Sequence, residues 1–325
     1  MKYSIITPVY NREDCISRCI ESVIKQVEKY KTKVTIEHII INDGSKDSTD
    51  IICKEYERKY NHIKYISFSK NKGTNAARNA GIKIATGTFC IILDSDDWFT
   101  ENAISIIDKT ISLHPEYKHY MFAPNDIDYS KSILSNYKEK ELVYNDFLSG
   151  SINVGFIHCI NTNILKKYPF DESVRIYEDV FFLSFYKEAK KMLFTNAVVT
   201  IRERNRNDRV SFNFIRTKDE FISRGIKAKE IILNRFGNDM KNSQCAKMLN
   251  DIYINLYDNY LLLEKYNSII SLNKLYNDKY REYIPTFSKL KILHIIYYFR
   301  LGLIYKYLLK IYLFFKYNLF RSRPK

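Results

Sequence analysis

The 325-residue sequence is short of the residues that punctuate a chain: 9 Gly, 6 Pro and a single Trp, Trp98. Collagen-like repeats and low-complexity linkers, which are built on Gly and Pro, are thereby excluded. The six cysteines, Cys15, Cys19, Cys53, Cys90, Cys159 and Cys245, contain no C-x-x-C pair. Reduced, mostly buried thiols are therefore expected, rather than a zinc site or a disulfide framework. No Gly-rich phosphate loop opens the chain, which argues against a nucleotidyltransferase. Long apolar runs are missing as well. Between 290 and 320, where Leu, Ile, Phe and Tyr are dense, the longest stretch without Lys, Arg or His is five residues. A membrane-spanning helix needs about 20 mostly apolar residues. The opening Met1-Lys2-Tyr3-Ser4-Ile5-Ile6-Thr7-Pro8 is too short an apolar run for a signal peptide, so a cytosolic catalytic part is expected.

What is present is ordinary for a globular protein: 46% hydrophobic and 27% charged residues. That excludes a disordered chain, and the length fits one large domain or two. The net charge is +15, and it is unevenly placed. Residues 286–325 hold nine Lys and Arg and no Asp or Glu, more than half of the excess. A basic chain can meet nucleic acid, anionic lipid or phosphorylated substrates. Concentration of the charge in an apolar tail, with no nucleic-acid recognition motif, disfavours nucleic acid.

The first hundred residues alternate strand and helix signals. Tyr3–Ile6 reads as a strand ended by Thr7-Pro8, and Asn11 as the cap of a helix carrying Ile16, Ile20, Val23 and Val27. Val34–Ile41 is a second strand that stops at Asn42-Asp43-Gly44-Ser45. Thr49–Tyr60 is a helix with Ile51, Ile52, Tyr56 and Tyr60 inward, and Ile63–Phe68 a third strand. Asn71-Lys72-Gly73-Thr74 turns into a helix through Ala85, and Phe89–Leu93 is an apolar strand needing cover on both faces. Repeated βαβ units predict a parallel sheet flanked by helices, with ligands at the carboxyl ends of its strands. Thr7, Asp43 and Asp94 fall at such ends. From 216 to 285 the chain reads helical, and Pro285 marks a break before the basic tail.

Asp94-Ser95-Asp96-Asp97-Trp98 follows the apolar strand directly. Three carboxylates in four residues repel one another, and a divalent cation would relieve that repulsion. The competing reading is an acidic turn whose Asp residues cap a helix starting near Thr100. Glu178-Asp179 precedes an apolar helix; it reads either as helix-capping carboxylates or as a general base. Arg202, Arg204, Arg206 and Arg209 could pair with phosphate oxygens, or belong to a solvated loop.

Taken together, these residues resemble family 2 glycosyltransferases of the GT-A fold. The resemblance rests on Ser4-Ile5-Ile6-Thr7-Pro8-Val9-Tyr10-Asn11, on Asn42-Asp43-Gly44-Ser45-Lys46-Asp47-Ser48-Thr49, and on Asn71-Lys72-Gly73 through Ala77-Arg78-Asn79-Ala80-Gly81. Asp94-Ser95-Asp96-Asp97-Trp98 and Phe170-Asp171-Glu172 with Tyr177-Glu178-Asp179 complete it. It covers roughly 1–210. It implies an α/β fold with a mostly parallel sheet flanked by helices, followed by a helical region and a basic amphipathic tail. The implied domains are 1–215 for the catalytic part, 216–285 for a helical extension and 286–325 for the tail.

By the same resemblance Thr7, Pro8, Tyr10, Asn11 and Asp43 would hold the nucleobase end of a nucleotide sugar, with UDP the expected nucleotide. Asn71 and Arg78 would lie near base and ribose-phosphate, and Asp94 with Ser95 near the ribose or donor sugar. Asp96 would bind Mn²⁺ or Mg²⁺. Asp179 would be the base that activates the acceptor hydroxyl, with Glu178 the runner-up. The implied activity is that of an inverting hexosyltransferase. Processive members carry Q-x-x-R-W; the only Trp here is Trp98, so single additions are expected. No third metal ligand is evident, and His158 is weighed between that role and a core histidine. The expected acceptor is a growing, lipid-linked surface glycan. The tail reads as a peripheral anchor on the inner face of the cell membrane, against a helix packed on the domain or a homodimer contact. The alternative to an enzyme is a nucleotide-sugar-binding scaffold with a degenerate site.

Overall fold

The computed structural model describes residues 1–126, 134–150, 152, 155–174, 177–202, 218–241, 245–284 and 288–321. They form two compact units, 1–147 with 151–205, and 148–150 with 206–325.

The first unit opens with the expected alternation: β1 (Lys2–Val9), α1 (Ile16–Tyr30), β2 (Thr35–Asn42), α2 (Thr49–Lys59), β3 (Ile63–Ser67), α3 (Thr74–Ile84) and β4 (Phe89–Ile92). β1 pairs in parallel with β2 and β4, and β2 with β3. Strand β1 runs through Thr7-Pro8 instead of ending there. The reason lies in the ladder. Ile6 O accepts from Leu93 N on the β4 side, and Val9 O accepts from Asp43 N on the β2 side. Alternation turns Pro8 toward β4, whose pairing with β1 has already ended at Ile6 and Ile92. The missing N–H of Pro8 costs no bond there.

The second half of the unit is antiparallel in large part. It comprises β5 (Trp98–Phe99), α4 (Ala103–Leu113), β6 (His119–Pro124), β7 (Glu139–Val143), α5 (Tyr144–Leu148), β8 (Ile157–Asn161), α6 (Thr162–Lys167), α7 (Asp179–Ala189) and β9 (Lys191–Ile201). β8 enters antiparallel between β4 and β6, and β9 runs parallel to β6. The strand order is β3-β2-β1-β4-β8-β6-β9-β5, with β7 also on β9. The sheet is therefore mixed, its parallel part being the half read from the βαβ pattern.

Two local expectations change. Helix α1 starts at Ile16 after Cys15, with no side-chain cap. Asn11 sits at φ 50° and serves the neighbouring loop instead: its Oδ1 accepts from Lys46 N at 2.9 Å. Ile51 is 60% exposed; the buried line of α2 runs through Thr49 and Cys53. All six cysteines are buried thiols.

A buried carboxylate that the sequence reading passed over ties the parallel strands together. Glu37 of β2 accepts from Ser4 Oγ of β1 (2.5 Å), Lys64 Nζ of β3 (2.7 Å), and Thr86 N (2.6 Å) and Gly87 N (3.2 Å) before β4. Burial alone would raise its pKa; the bonds from Lys64, Ser4 and Thr86 outweigh that and carry it down to about 2. At Gly87 a Cβ would stand 2.6 Å from Ser4 N, so only glycine fits beside β1.

The second unit is helical: α8 (Asp219–Phe236), α9 (Ala246–Leu262), α10 (Tyr266–Lys279), a 3-10 turn at Arg281–Tyr283, α11 (Ser288–Tyr298) and α12 (Gly302–Arg321). α9 lies at its centre, burying Leu249, Ile252, Tyr253, Leu256, Tyr257, Tyr260, Leu261 and Leu262. Several tyrosines serve as core residues with a bonded hydroxyl: Tyr276 donates to Leu249 O (2.8 Å), Tyr253 to Asn273 (2.7 Å) and Tyr260 to Glu230 (2.6 Å). Among the described residues no helix is long and apolar enough to cross a membrane.

Candidate active site

The carboxyl ends of β1, β2 and β4 meet as the parallel topology requires. At the β1–β2 end, Asn42 Oδ1 accepts from Ser45 N (2.9 Å) and Oγ (2.6 Å), closing the turn after β2. Asn11 N donates to Ser45 Oγ and Arg12 N to Thr49 Oγ1, so the two loops are sewn together. Gly44, at φ +72°, lets this turn lie against Lys70 and Asn71; a Cβ there would stand 2.7 Å from Lys70 C. Asp43 is buried, and its two oxygens accept from Lys72 N (2.6 Å) and Gly73 N (2.8 Å) at the start of α3. Tyr10 and Asn71 are exposed here. The Thr7 hydroxyl instead faces inward, 2.9 Å from His38 Nε2.

The acidic turn after β4 is not a helix cap, because α4 begins only at Ala103 after Asn102. Its main chain is gripped by the first turn of α1 and the residue before it. Cys19 Sγ donates to Asp94 O (3.7 Å), Cys15 Sγ to Ser95 O (3.7 Å) and Arg18 to Asp96 O (3.4 Å). The Arg18 guanidinium also stacks 3.8 Å over the Trp98 ring. Ser95 and Asp97 are buried, Asp96 is half-buried and the Asp94 side chain is half exposed. The expected repulsion is visible at Asp97: burial, then the charges of Asp94 and Asp96, push its carboxyl up to about 8, opposed by Arg202 at 3.8 Å.

Arg78 joins this turn to the second acidic motif. Buried in α3, it donates through Nη2 to Asp94 Oδ1 at 3.2 Å and through Nη1 to Glu178 Oε1. Burial works against its charge, but Glu178 and then Asp94 outweigh it and move its pKa up. Its guanidinium also lies 5.4 Å from the Phe170 ring. Glu178 precedes α7 without a side-chain capping bond; its carboxylate goes to Arg78. Asp179, in the first turn of α7, is exposed. The segment before it is clamped to α3: Asn79 Oδ1 accepts from Phe170 N and its Nδ2 donates to Phe170 O (both 2.9 Å), while Asn75 Nδ2 donates to Asp171 O (2.8 Å). Three motifs separated by up to 100 residues thus share one cluster.

The donor set suits a hard divalent cation. Asp94 and Asp96 offer carboxylate oxygens at the end of β4, the Asp94 side chain half exposed and Asp96 half-buried. Among the described residues no three His, Cys, Asp or Glu side chains group to hold a metal. His158 lies apart from that role. Its Nδ1 is 2.9 Å from His119 Nε2, its ring stacks on Phe182, and burial followed by Arg202 and Arg78 lowers its pKa to about 3. Arg202 pairs with Asp97 and donates to Phe156 O (3.2 Å). Arg204, Arg206 and Arg209 lie outside the described residues. Sequence reading missed the thiol and Arg18 contacts, although Cys15, Arg18 and Cys19 share one helical face, a spacing that could have flagged them.

The profile of glycosyl transferase family 2 matches residues 4–168. The chain belongs to that family. Minor teichoic acid biosynthesis protein GgaB of Bacillus subtilis (strain 168) is 32% identical over 202 residues, 58% of this chain and 21% of GgaB. The match spans between 15% and 42% of the length of the curated relatives GgaB, GgaA, GlyA and poly(ribitol-phosphate) beta-glucosyltransferase. S. aureus TarS 1–349 in complex with UDP superimposes with a TM-score of 0.60 at 20% identity, covering 81% of this chain and 80% of that one. The mannosyltransferase PcManGT from Pyrobaculum calidifontis, in complex with GDP-Man and Mn²⁺, gives 0.52 at 13% identity over 99% and 88%. At these identities the likeness speaks for the fold, which is of the GT-A type.

Proposed function

We propose that the chain is an inverting, metal-dependent, non-processive family 2 glycosyltransferase. It moves a hexose from a UDP-sugar to a hydroxyl of a growing, lipid-linked surface glycan of the teichoic-acid kind, at the cytoplasmic face of the membrane. The observation that carries this reading is Arg78, whose two ends hold Asp94 of the first acidic motif and Glu178 of the second. Donor-side and acceptor-side carboxylates are thereby fixed in one frame, and alignment of two substrates supplies much of the rate gain, up to roughly 7–11 kcal/mol in well-oriented reactions. TarS with bound UDP, and GgaB by its teichoic acid role, support the donor and acceptor classes.

Tyr10, Asn11 and Asp43, with main chain at Pro8 and Asn71, receive the nucleobase; the Asp43 oxygens keep lone pairs beyond the two bonds they accept. Asp96 with Asp94 would hold Mn²⁺ or Mg²⁺, which when bound offsets charge developing on the departing diphosphate. Asp179, exposed and next to the anchored Glu178, takes the acceptor proton. Attack by the activated hydroxyl opposite the leaving diphosphate inverts the anomeric carbon.

The test is calorimetry with UDP, GDP, CDP and dTDP, with Mn²⁺ and with chelator, followed by hydrolysis of UDP-sugars. UDP binding that needs the metal, weakened in Asp96→Ala, is expected. Asp179→Asn should keep donor binding and lose transfer. Turnover undiminished in Asp179→Asn removes it as base; no nucleotide binding favours a degenerate scaffold.

A further inference from the structure

The tail of the second unit has two faces. Its inner face packs on α9. Leu293 and Leu313 are buried, and the Tyr297 ring lies 6.2 Å from that of Tyr257. Tyr305 donates to Asp258 Oδ1 at 2.7 Å, and Lys306 pairs with Asp219. Gly302 permits the approach: a Cβ there would stand 2.4 Å from Leu261 O.

Over 303–312 the outer face of α12 is apolar and exposed. Leu303, Tyr307 and Ile311 form one row at four-residue spacing, and Ile304, Leu308 and Tyr312 form the next. The six are 37–66% exposed. Rows at this spacing make one stripe along a helix. α11 adds Tyr298, 80% exposed. Lys310 and Arg300, both exposed, stand beside the stripe. A stripe of large apolar side chains on a free surface marks an interaction site.

We propose that this stripe seats on an anionic lipid surface, with its leucines and isoleucines in the acyl boundary, its tyrosines at headgroup depth, and Lys310 and Arg300 against phosphates. Charge selects this occupant. Residues 286–325 carry nine basic residues and no acidic one. Anionic headgroups complement that surface, whereas a second copy laid face to face would set lysine against lysine. The inference stands on the tail alone and survives failure of the catalytic reading.

The test uses the full chain and vesicles of phosphatidylcholine, alone or mixed with phosphatidylglycerol. The wild type should sediment with the mixed vesicles, less so at high salt, and only weakly with phosphatidylcholine alone. Leu308→Glu and Lys310→Glu change exposed positions, and Leu308→Glu should lower vesicle affinity about tenfold or more. Ile51→Glu, at an exposed site of the first unit, should bind as the wild type does. Sedimentation velocity without lipid should show the same oligomeric state for the wild type and Leu308→Glu. Absence of binding to mixed vesicles, equal binding to neutral ones, or undiminished binding by Leu308→Glu overturns the proposal. So does a wild-type dimer that Leu308→Glu dissociates, which would assign the stripe to a second copy.

Discussion

Replacing Glu37 by Gln probes the joint between the parallel strands. The carboxylate accepts from donors on β1, on β3 and ahead of β4, and its side chain is only 6% exposed. Its pKa falls from an ordinary 4.5 to about 2. At 1.36 kcal/mol per pH unit that difference corresponds to about 3 kcal/mol of stability at neutral pH. The sign follows from the lowered value: the contribution is complete above the unfolded pKa and fades as pH falls toward the folded one. It should drop to about 2 kcal/mol near about pH 3.5. Lys64 is half exposed, so solvent screening trims its share. Glutamine keeps one acceptor oxygen but turns an NH₂ toward donors that have no other use for it. Urea titrations of wild type and Glu37→Gln, followed by circular dichroism from neutral pH down to about pH 3.5, measure the gap. It should be a few kcal/mol at neutral pH and narrow on acidification. Equal stability at neutral pH, or a gap that stays constant as the buffer is acidified, would refute the reasoning.

Other perturbations address different joints. Arg78→Lys retains a charge but cannot fork between Asp94 and Glu178; transfer, or slow donor hydrolysis, should fall about 10- to 100-fold with little change in melting temperature. Unchanged turnover would remove Arg78 as the bridge. Gly302→Ala forces the start of α12 away from Leu261 O, at a cost of about 1–3 kcal/mol. Hydrogen exchange across 302–313 should quicken, and undisturbed protection would contradict the close approach. The six buried thiols should resist a thiol-specific reagent in the native protein and all react after denaturation. One fast native thiol would show that a cysteine is open to solvent.

The parallel half was legible because local pattern encodes it. β-branched runs such as Val34–Ile41 alternate with helical spacing, and Asn42-Asp43-Gly44 announces its turn. The acidic motifs were legible because carboxylates crowded at the end of an apolar strand carry a cost visible in one dimension. Ile51 was misjudged because a helix of three turns shows too few repeats to fix which side faces inward. Asn11 was misjudged because the competing partner for its side chain, Lys46 N, belongs to another loop.

By itself, then, the sequence determined the βαβ opening, the order of the motifs, the thiols' burial and the uneven placement of charge. Only the tertiary structure decided the antiparallel entry of β8 beside β4, since short strands have no period that names a neighbour. It alone turned Glu37 from a polar residue in a strand into the joint of three strands. It alone set Arg78 between Asp94 and Glu178. A sequence records what each residue can bond; which partner arrives depends on packing between segments up to a hundred residues apart.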